Sequence, residues 1–315
     1  MTSAWETARD GGLLSADLSH WGLLAVSGAD ATTFLHNQLT CQVKELGAAR
    51  STLGAYCNPK GRVVSVFRLF RKGDAWILRL PGDVAGRTRQ RLELYRLRAR
   101  VEIEDARPLV AVIGVGGGQA PARLKELGLP VPGDVDGRVE VDDLVVLRVP
   151  GLFPRFELYC CPSRRESLWE ALGAGSLQTG PEIWQALDLH LGLAPIHEST
   201  SERFVPQALR LDEVGAVSFS KGCFPGQEVV SRLHHLGSSP RIACLLLGPR
   251  GSTVEPGTEV FAEGRVAGTL LEGWPDADGH LRAMAVVGRE ALGRGELRWS
   301  AADGAVCRVL DFDAV

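Results

Sequence analysis

Apolar and polar positions along this chain follow two rhythms, and the places where the rhythm changes mark its elements. Leu23 to Val26 is an apolar strand run closed by the Ser27-Gly28 turn. Asp30 then caps a predicted helix over 31–39, with Phe34, Leu35, Gln38 and Leu39 on its inner face. A meander follows. Residues 51–57 read as a strand, and Asn58-Pro59-Lys60-Gly61 has turn chemistry at every position. Residues 62–70 alternate, placing Val64, Val66, Arg68 and Phe70 on one face, and Lys72-Gly73-Asp74 turns the chain into a strand over 76–80.

A helix is predicted over 83–97. Six arginines lie between residues 87 and 100, and they read as a solvated face over a Leu92 and Tyr95 stripe. Strands are predicted at 101–103, 109–115, 144–149 and 156–160, and helices at 121–127, 164–172 and 181–191. From Arg241 onward, short β runs are separated by Pro256-Gly257, Glu263-Gly264, Asp278-Gly279 and Asp303-Gly304, the texture of a small all-β barrel. The expected fold class is α+β, with a two-lobed region over 1–240 and a β-barrel domain over 241–315.

Composition narrows the function classes. The chain has 315 residues, and 35 basic against 38 acidic side chains give a net charge of −3. No global positive field exists to hold a polyanion. No apolar run is long enough for a membrane span, and the N-terminus, with Glu6, Arg9 and Asp10, lacks a signal-peptide core. Seven cysteines without a C-x-x-C spacing fit free thiols in a reducing compartment. The expectation is a cytoplasmic monomer with no resident metal and no membrane contact. Only five of the basic residues are lysines, and two of these, Lys60 and Lys221, sit beside glycines in tight turns.

Two stretches carry candidate chemistry. Gly114-Val115-Gly116-Gly117-Gly118 suggests a dinucleotide loop, but the third glycine of G-x-G-x-x-G falls on Gln119, so a strand-to-helix turn is the expected reading. The second stretch is Lys221-Gly222-Cys223-Phe224-Pro225-Gly226-Gln227-Glu228, expected between a strand over 216–220 and a helix over 228–236 closed by Gly237. A thiol ahead of a helix N-terminus feels the positive end of the helix dipole, and Lys221 adds a charge. Cys223 is therefore the candidate reactive thiol, with a small buried hydrophobe as the alternative. A Cys–His pair with His234 or His235 is excluded, because six or seven helical residues put those rings about 9–10 Å along the axis.

The stretch from Phe204-Val205-Pro206-Gln207 through that K-G-C-F/Y-x-G-Q-E element closely resembles the signature of the YgfZ family. Gly28-Ala29-Asp30-Ala31, Phe34-Leu35, Gln38-Leu39-Thr40 and Asn58-Pro59-Lys60-Gly61-Arg62 add to the resemblance. It implies folate-binding proteins tied to iron–sulfur cluster maintenance and tRNA modification, with the fold of the glycine-cleavage T-protein, an aminomethyltransferase. That fold is three lobes around a central channel accepting tetrahydrofolate. By family position Trp21 and Trp184 line the folate site, and Gln227 belongs with it.

Departures from the family pattern modify this expectation. His190 stands where relatives usually carry Glu, and Asp188, four residues after Trp184, is expected to compensate. Arg210 stands where relatives often have Asn and is a candidate for the glutamate tail of folate. Phe224 replaces a frequent Tyr. Residues 58–67 hold no acid where the T-protein places its essential Asp. The expected activity is folate-dependent support of iron–sulfur client enzymes through Cys223 and Lys221. The alternatives are an active aminomethyltransferase and a non-catalytic module that docks clients through the β domain or the Arg87–Arg100 segment. That segment is also the expected site of weak tRNA contact.

Overall fold

The computed structural model describes residues 2–276, 278–293 and 296–310, with side chains from Glu6 onward. The strands are β1 (Leu14–Asp17), β2 (Trp21–Ser27), β3 (Thr52–Cys57), β4 (Val63–Lys72), β5 (Ala75–Pro81), β6 (Glu102–Asp105), β7 (Ala111–Gly116), β8 (Arg138–Val141), β9 (Leu144–Val149), β10 (Arg155–Cys160) and β11 (Leu177–Thr179). They are followed by β12 (Arg241–Arg250), β13 (Glu259–Ala262), β14 (Arg265–Pro275), β15 (His280–Gly288), β16 (Leu297–Trp299) and β17 (Val306–Leu310). The helices are α1 (Thr2–Arg9), α2 (Ala31–Gln38), α3 (Gly82–Leu94), α4 (Ala120–Glu126), α5 (Pro162–Gly173), α6 (Glu182–His190), α7 (Gln227–Leu236) and α8 (Arg289–Leu292), with a 3-10 turn at Pro206–Leu209. By packing, the chain divides into two compact units. One holds Met1–Leu35, Val43–Thr52 and Phe67–Leu187; the other holds His36–Gln42, Leu53–Val66 and Asp188–Val315.

The first unit is built on a six-stranded sheet in the order β11-β1-β7-β10-β9-β8. Both faces are buried, so strand alternation sorts its residues into two cores. Leu14, Ala16, Val112, Val145, Leu147 and Tyr159 join one core with Trp21 and Trp184. Leu144, Val146, Phe156, Leu158 and Cys160 join the other with Leu124 and Leu172 of the flanking helices. The glycine run at 114–118 is a strand end. Gly114 lies in β7, pairs with Glu157 of β10, and leaves room for an indole, since a Cβ there would stand 2.9 Å from the Trp184 ring.

In the second unit Thr40 ties three segments together. Its Oγ1 donates to Ala216 O at 2.7 Å and accepts from Ala55 N at 2.8 Å, while its carbonyl accepts from Ser218 N at 2.9 Å. Residues 216–220, expected as a strand, join no ladder and bend at 219 and 220; side-chain and single backbone bonds to Thr40 hold the segment instead. The barrel is closed, in the order β12-β15-β14-β13-β16-β17. Its interior is filled by Leu246, Leu270, Ala283, Ala285, Val287 and Trp299.

Three other expectations change. The arginine-bearing helix ends at Leu94, so Arg87, Arg89 and Arg91 are helical while Arg96, Arg98 and Arg100 lie in the loop that follows. Leu92 is buried, but Tyr95 caps the helix end and is exposed. Strand β4 is buried on both faces from Val63 to Phe70, with only Val66 partly open, so its alternation does not mark an outer side.

Candidate functional site

The K-G-C-F-P-G-Q-E element is a turn at the head of α7, and two glycines explain its shape. Gly226 is the residue before the first helical position and has φ +79°. Gly61, in the turn between β3 and β4, has φ +69°. Only glycine adopts these angles without strain. A Cβ on Gly226 would stand 2.5 Å from Asn58 O, Gly61 N and Gly61 Cα alike, so the two turns meet backbone to backbone. Asn58 holds its own turn by accepting from Lys60 N (2.9 Å) and Arg62 N (3.0 Å), and donates through Nδ2 to Glu202 at 2.8 Å.

Lys221 and Phe224 are buried; Gly222 and Cys223 are exposed. The Lys221 ammonium donates to the carbonyls of His36 and Leu39. His36 lies in the last turn of α2 and Leu39 just beyond it, so the lysine satisfies carbonyls that a helix C-terminus leaves unpaired. Burial pushes Lys221 down to about 8, with the neighbouring Cys41 opposing. Burial in turn pushes the Cys41 thiol up to about 12, against the pull of Lys221. Lys221 therefore anchors the turn that carries Cys223. Gln227 does likewise: its Oε1 accepts from Phe224 N at 3.3 Å, closing the turn from the helix side.

Of the seven cysteines, Cys223 is exposed, Cys161 is half-buried and five are buried. His234 stacks on Phe219, with ring centroids 3.7 Å apart and planes inclined by 13°, and His235 meets both rings edge-on. The imidazoles are thus engaged with aromatic partners. Among the described residues, no group of three or more His, Cys, Asp or Glu side chains could hold a metal ion.

The expected folate residues are placed as follows. Trp184 is fully buried. Its Nε1 donates to Glu157 Oε1 at 3.0 Å, and the Arg155 guanidinium sits 4.4 Å over its ring. Trp21 is 7% exposed, carries the Arg79 guanidinium 4.2 Å over its ring, and has a buried Nε1–H without a hydrogen-bond partner among the described residues. Asp188 is half-buried in the last turn of α6, and its carbonyl accepts from Leu191 N and Leu193 N. His190 is buried; desolvation, with the Arg282 charge adding to it, pushes its pKa down and favours the neutral ring. Arg210 caps the 3-10 turn at φ +58° and pairs with Glu213 at 2.6 Å. Left-handed backbone of this kind suits Asn better than Arg.

Glu157 is the residue that sequence reasoning missed. It is fully buried and accepts from Trp184 Nε1, from Tyr159 OH at 2.5 Å and from Arg79 at 3.1 Å. Burial alone pushes its pKa up, but Arg79 and Arg68, with the Tyr159 and Trp184 hydrogen bonds, outweigh it and hold the carboxyl below its ordinary value. The signal lay in β10: Arg155, Glu157 and Tyr159 occupy alternate positions on one strand face, a polar stripe inside a buried sheet. In the arginine segment, Arg89 pairs with Glu93 at 2.9 Å, Arg100 with Asp30 at 3.2 Å, and Arg96 donates to Val101 O. Part of its charge is therefore taken up locally.

No family model matches the chain. It is 32% identical over 280 residues to the tRNA-modifying protein YgfZ of Cronobacter sakazakii, covering 87% of this chain and 84% of that protein. The same identity and length relate it to the tRNA-modifying protein YgfZ of Hamiltonella defensa, covering 82% of that protein. The chain belongs to the YgfZ family. The fold of this YgfZ-family chain is that of the glycine cleavage system aminomethyltransferase T from Bartonella henselae, with a TM-score of 0.76 over 98% of this chain and 87% of that one, at 18% identity. The helices of the YgfZ chain include none long and apolar enough to cross a membrane, among the described residues.

Proposed function

We propose that this YgfZ-family protein binds tetrahydrofolate and supports the assembly or repair of 4Fe–4S clusters in client enzymes, tRNA-modifying ones among them, through the Cys223 thiol. One observation carries the thiol part: Cys223 is the single exposed cysteine, held on a turn fixed by Lys221, Gln227 and the Gly61–Gly226 contact. A lone exposed thiol of this kind can ligate an iron of a client cluster, releasing its proton to water as the iron–sulfur bond forms.

Folate fits one side of the expected site better than the other. The buried Nε1–H of Trp21 has no partner among the described residues, and a pterin carbonyl would supply one. Trp184 offers no such opening, because its N–H belongs to Glu157. In this reading Trp21 holds the pterin, while Trp184 and Glu157 stiffen the core behind it. Bound folate would supply one-carbon chemistry. Residues 58–67 contain no carboxylate to act as general base for aminomethyl transfer, which favours a supporting role over a glycine-cleavage reaction.

The test is a tetrahydrofolate titration followed by tryptophan fluorescence. Saturable binding is expected in the native chain and in Cys223→Ser, and binding weaker by about tenfold is expected in Trp21→Phe, which lacks the indole donor. The absence of a saturable signal in the native chain overturns the folate part of the reading.

A further inference from the structure

Helix α7, which begins where the Cys223 turn ends, leaves most of its apolar surface uncovered. Val230 is its only buried residue. Val229 is 37% exposed and Leu236 80%, and Leu233 between them is half-buried. Their i, i+4, i+7 spacing makes one stripe along the helix. Beside the stripe runs a cleft of about 710 Å³, lined by Arg62, Arg203, Arg232 and Arg241 and by one acid, Glu228. Arg62 donates to Arg203 O, and Arg203 to Thr269 Oγ1. The guanidiniums of Arg232 and Arg241 make no ion pair or hydrogen bond among the described residues.

We infer that this cleft docks an acidic amphipathic segment of a partner protein, its apolar side chains against Val229, Leu233 and Leu236 and its carboxylates against Arg232 and Arg241. Charge complementarity selects the occupant. Four guanidiniums line the cleft against one carboxylate, an excess of positive charge on a chain whose net charge is −3. Its apolar part is an aliphatic stripe. The one aromatic of the lining, Phe204, is 2% exposed and has no face on which a nucleobase could stack. Polar-rimmed apolar grooves of this kind take a helix face. Ten residues of helix span about 15 Å, so an occupant lies within one helix length of the exposed thiol. The inference deepens the reading above by giving the client a docking face, but it rests on the cleft and not on folate binding.

Fluorescence anisotropy with the full chain tests it. The probe is a labelled synthetic peptide of about 16 residues carrying Leu at i, i+4 and i+7 flanked by Asp and Glu, compared with a scrambled peptide of the same composition. The patterned peptide is expected to bind about tenfold more tightly than the scrambled one, and to weaken as salt rises. Arg232→Glu with Arg241→Glu, and separately Leu236→Asp, should each weaken it by about tenfold while the melting temperature and the tetrahydrofolate titration stay as in the native chain. Equal binding of the two peptides, native affinity in either variant, or displacement of the peptide by transfer RNA overturns the inference. Loss of the folate signal with peptide binding intact would instead strike the proposed function alone.

Discussion

Gly226 and Gly61 touch through their backbones: a side-chain carbon on the first would stand 2.5 Å from the Cα of the second. Two turns separated by more than 160 residues are thereby locked, and the lock sets where Cys223 emerges. Gly226→Ala would add both a clash and a left-handed alanine, the latter alone worth about 1–2 kcal/mol. The expected result is a melting temperature several degrees lower together with faster proteolysis at 221–226. A melting temperature equal to that of the native chain would contradict the lock.

Lys221 couples the stability of its turn to pH. Its ammonium is held by the His36 and Leu39 carbonyls, and Lys221→Met leaves both without a donor at a cost of about 1–3 kcal/mol for each buried group. The folded lysine titrates near 8, below its ordinary 10.5. Between those values the unfolded chain holds a proton that the folded chain has lost, so this group makes stability rise with pH and fall again as pH drops through about 8. The neutral amine keeps two N–H donors for its two carbonyls. Denaturant melts across this range should show the rise in the native chain and a flatter profile in Lys221→Met; parallel profiles would contradict it.

Glu157 is expected to be the most sensitive acid of the first unit. Glu157→Ala removes the acceptor that Arg79, Tyr159 OH and Trp184 Nε1 share in the core, and breaking a buried ion pair from one side costs about 3–5 kcal/mol. Because its pKa is lowered, its contribution is complete above the ordinary carboxylate value and is lost as pH falls through the lowered one. Chemical denaturation of Glu157→Ala checks the magnitude, and a loss under about 1 kcal/mol would place Glu157 outside the core's electrostatic frame.

The strand over Leu144–Val149, the helices after Cys161 and Pro181, and the barrel texture beyond Arg241 follow from long periodic runs with clear punctuation. Strands β1, β8 and β11 have only three or four residues, too few for a period to show, and β11 pairs with β1 in parallel across the chain. The prominence of Cys223 was legible from its turn. The partners of Lys221 were not, since they lie more than 180 residues away. Glu157 stayed hidden because a charge in a strand reads as a solvent-facing position, whereas both faces of this sheet are covered.

Thiol labelling separates the cysteines by burial. Iodoacetamide under native conditions should modify Cys223 first and Cys161 more slowly. Burial pushes Cys41, Cys57 and Cys244 up to about 12, and Cys160 and Cys307 up to about 11, so these five should stay unmodified until the chain is unfolded. Peptide mapping that finds a buried cysteine labelled ahead of Cys223 would contradict the placement of the turn.

In the proposed function, Cys223 carries the activity in the cell. The direct measurement is complementation of a strain lacking this protein, read as the activity of a 4Fe–4S tRNA-modifying enzyme. Cys223→Ser, which keeps the turn and removes the sulfur, is predicted to leave that activity at the level of the deletion strain while the protein accumulates normally. Full restoration by Cys223→Ser would contradict the account.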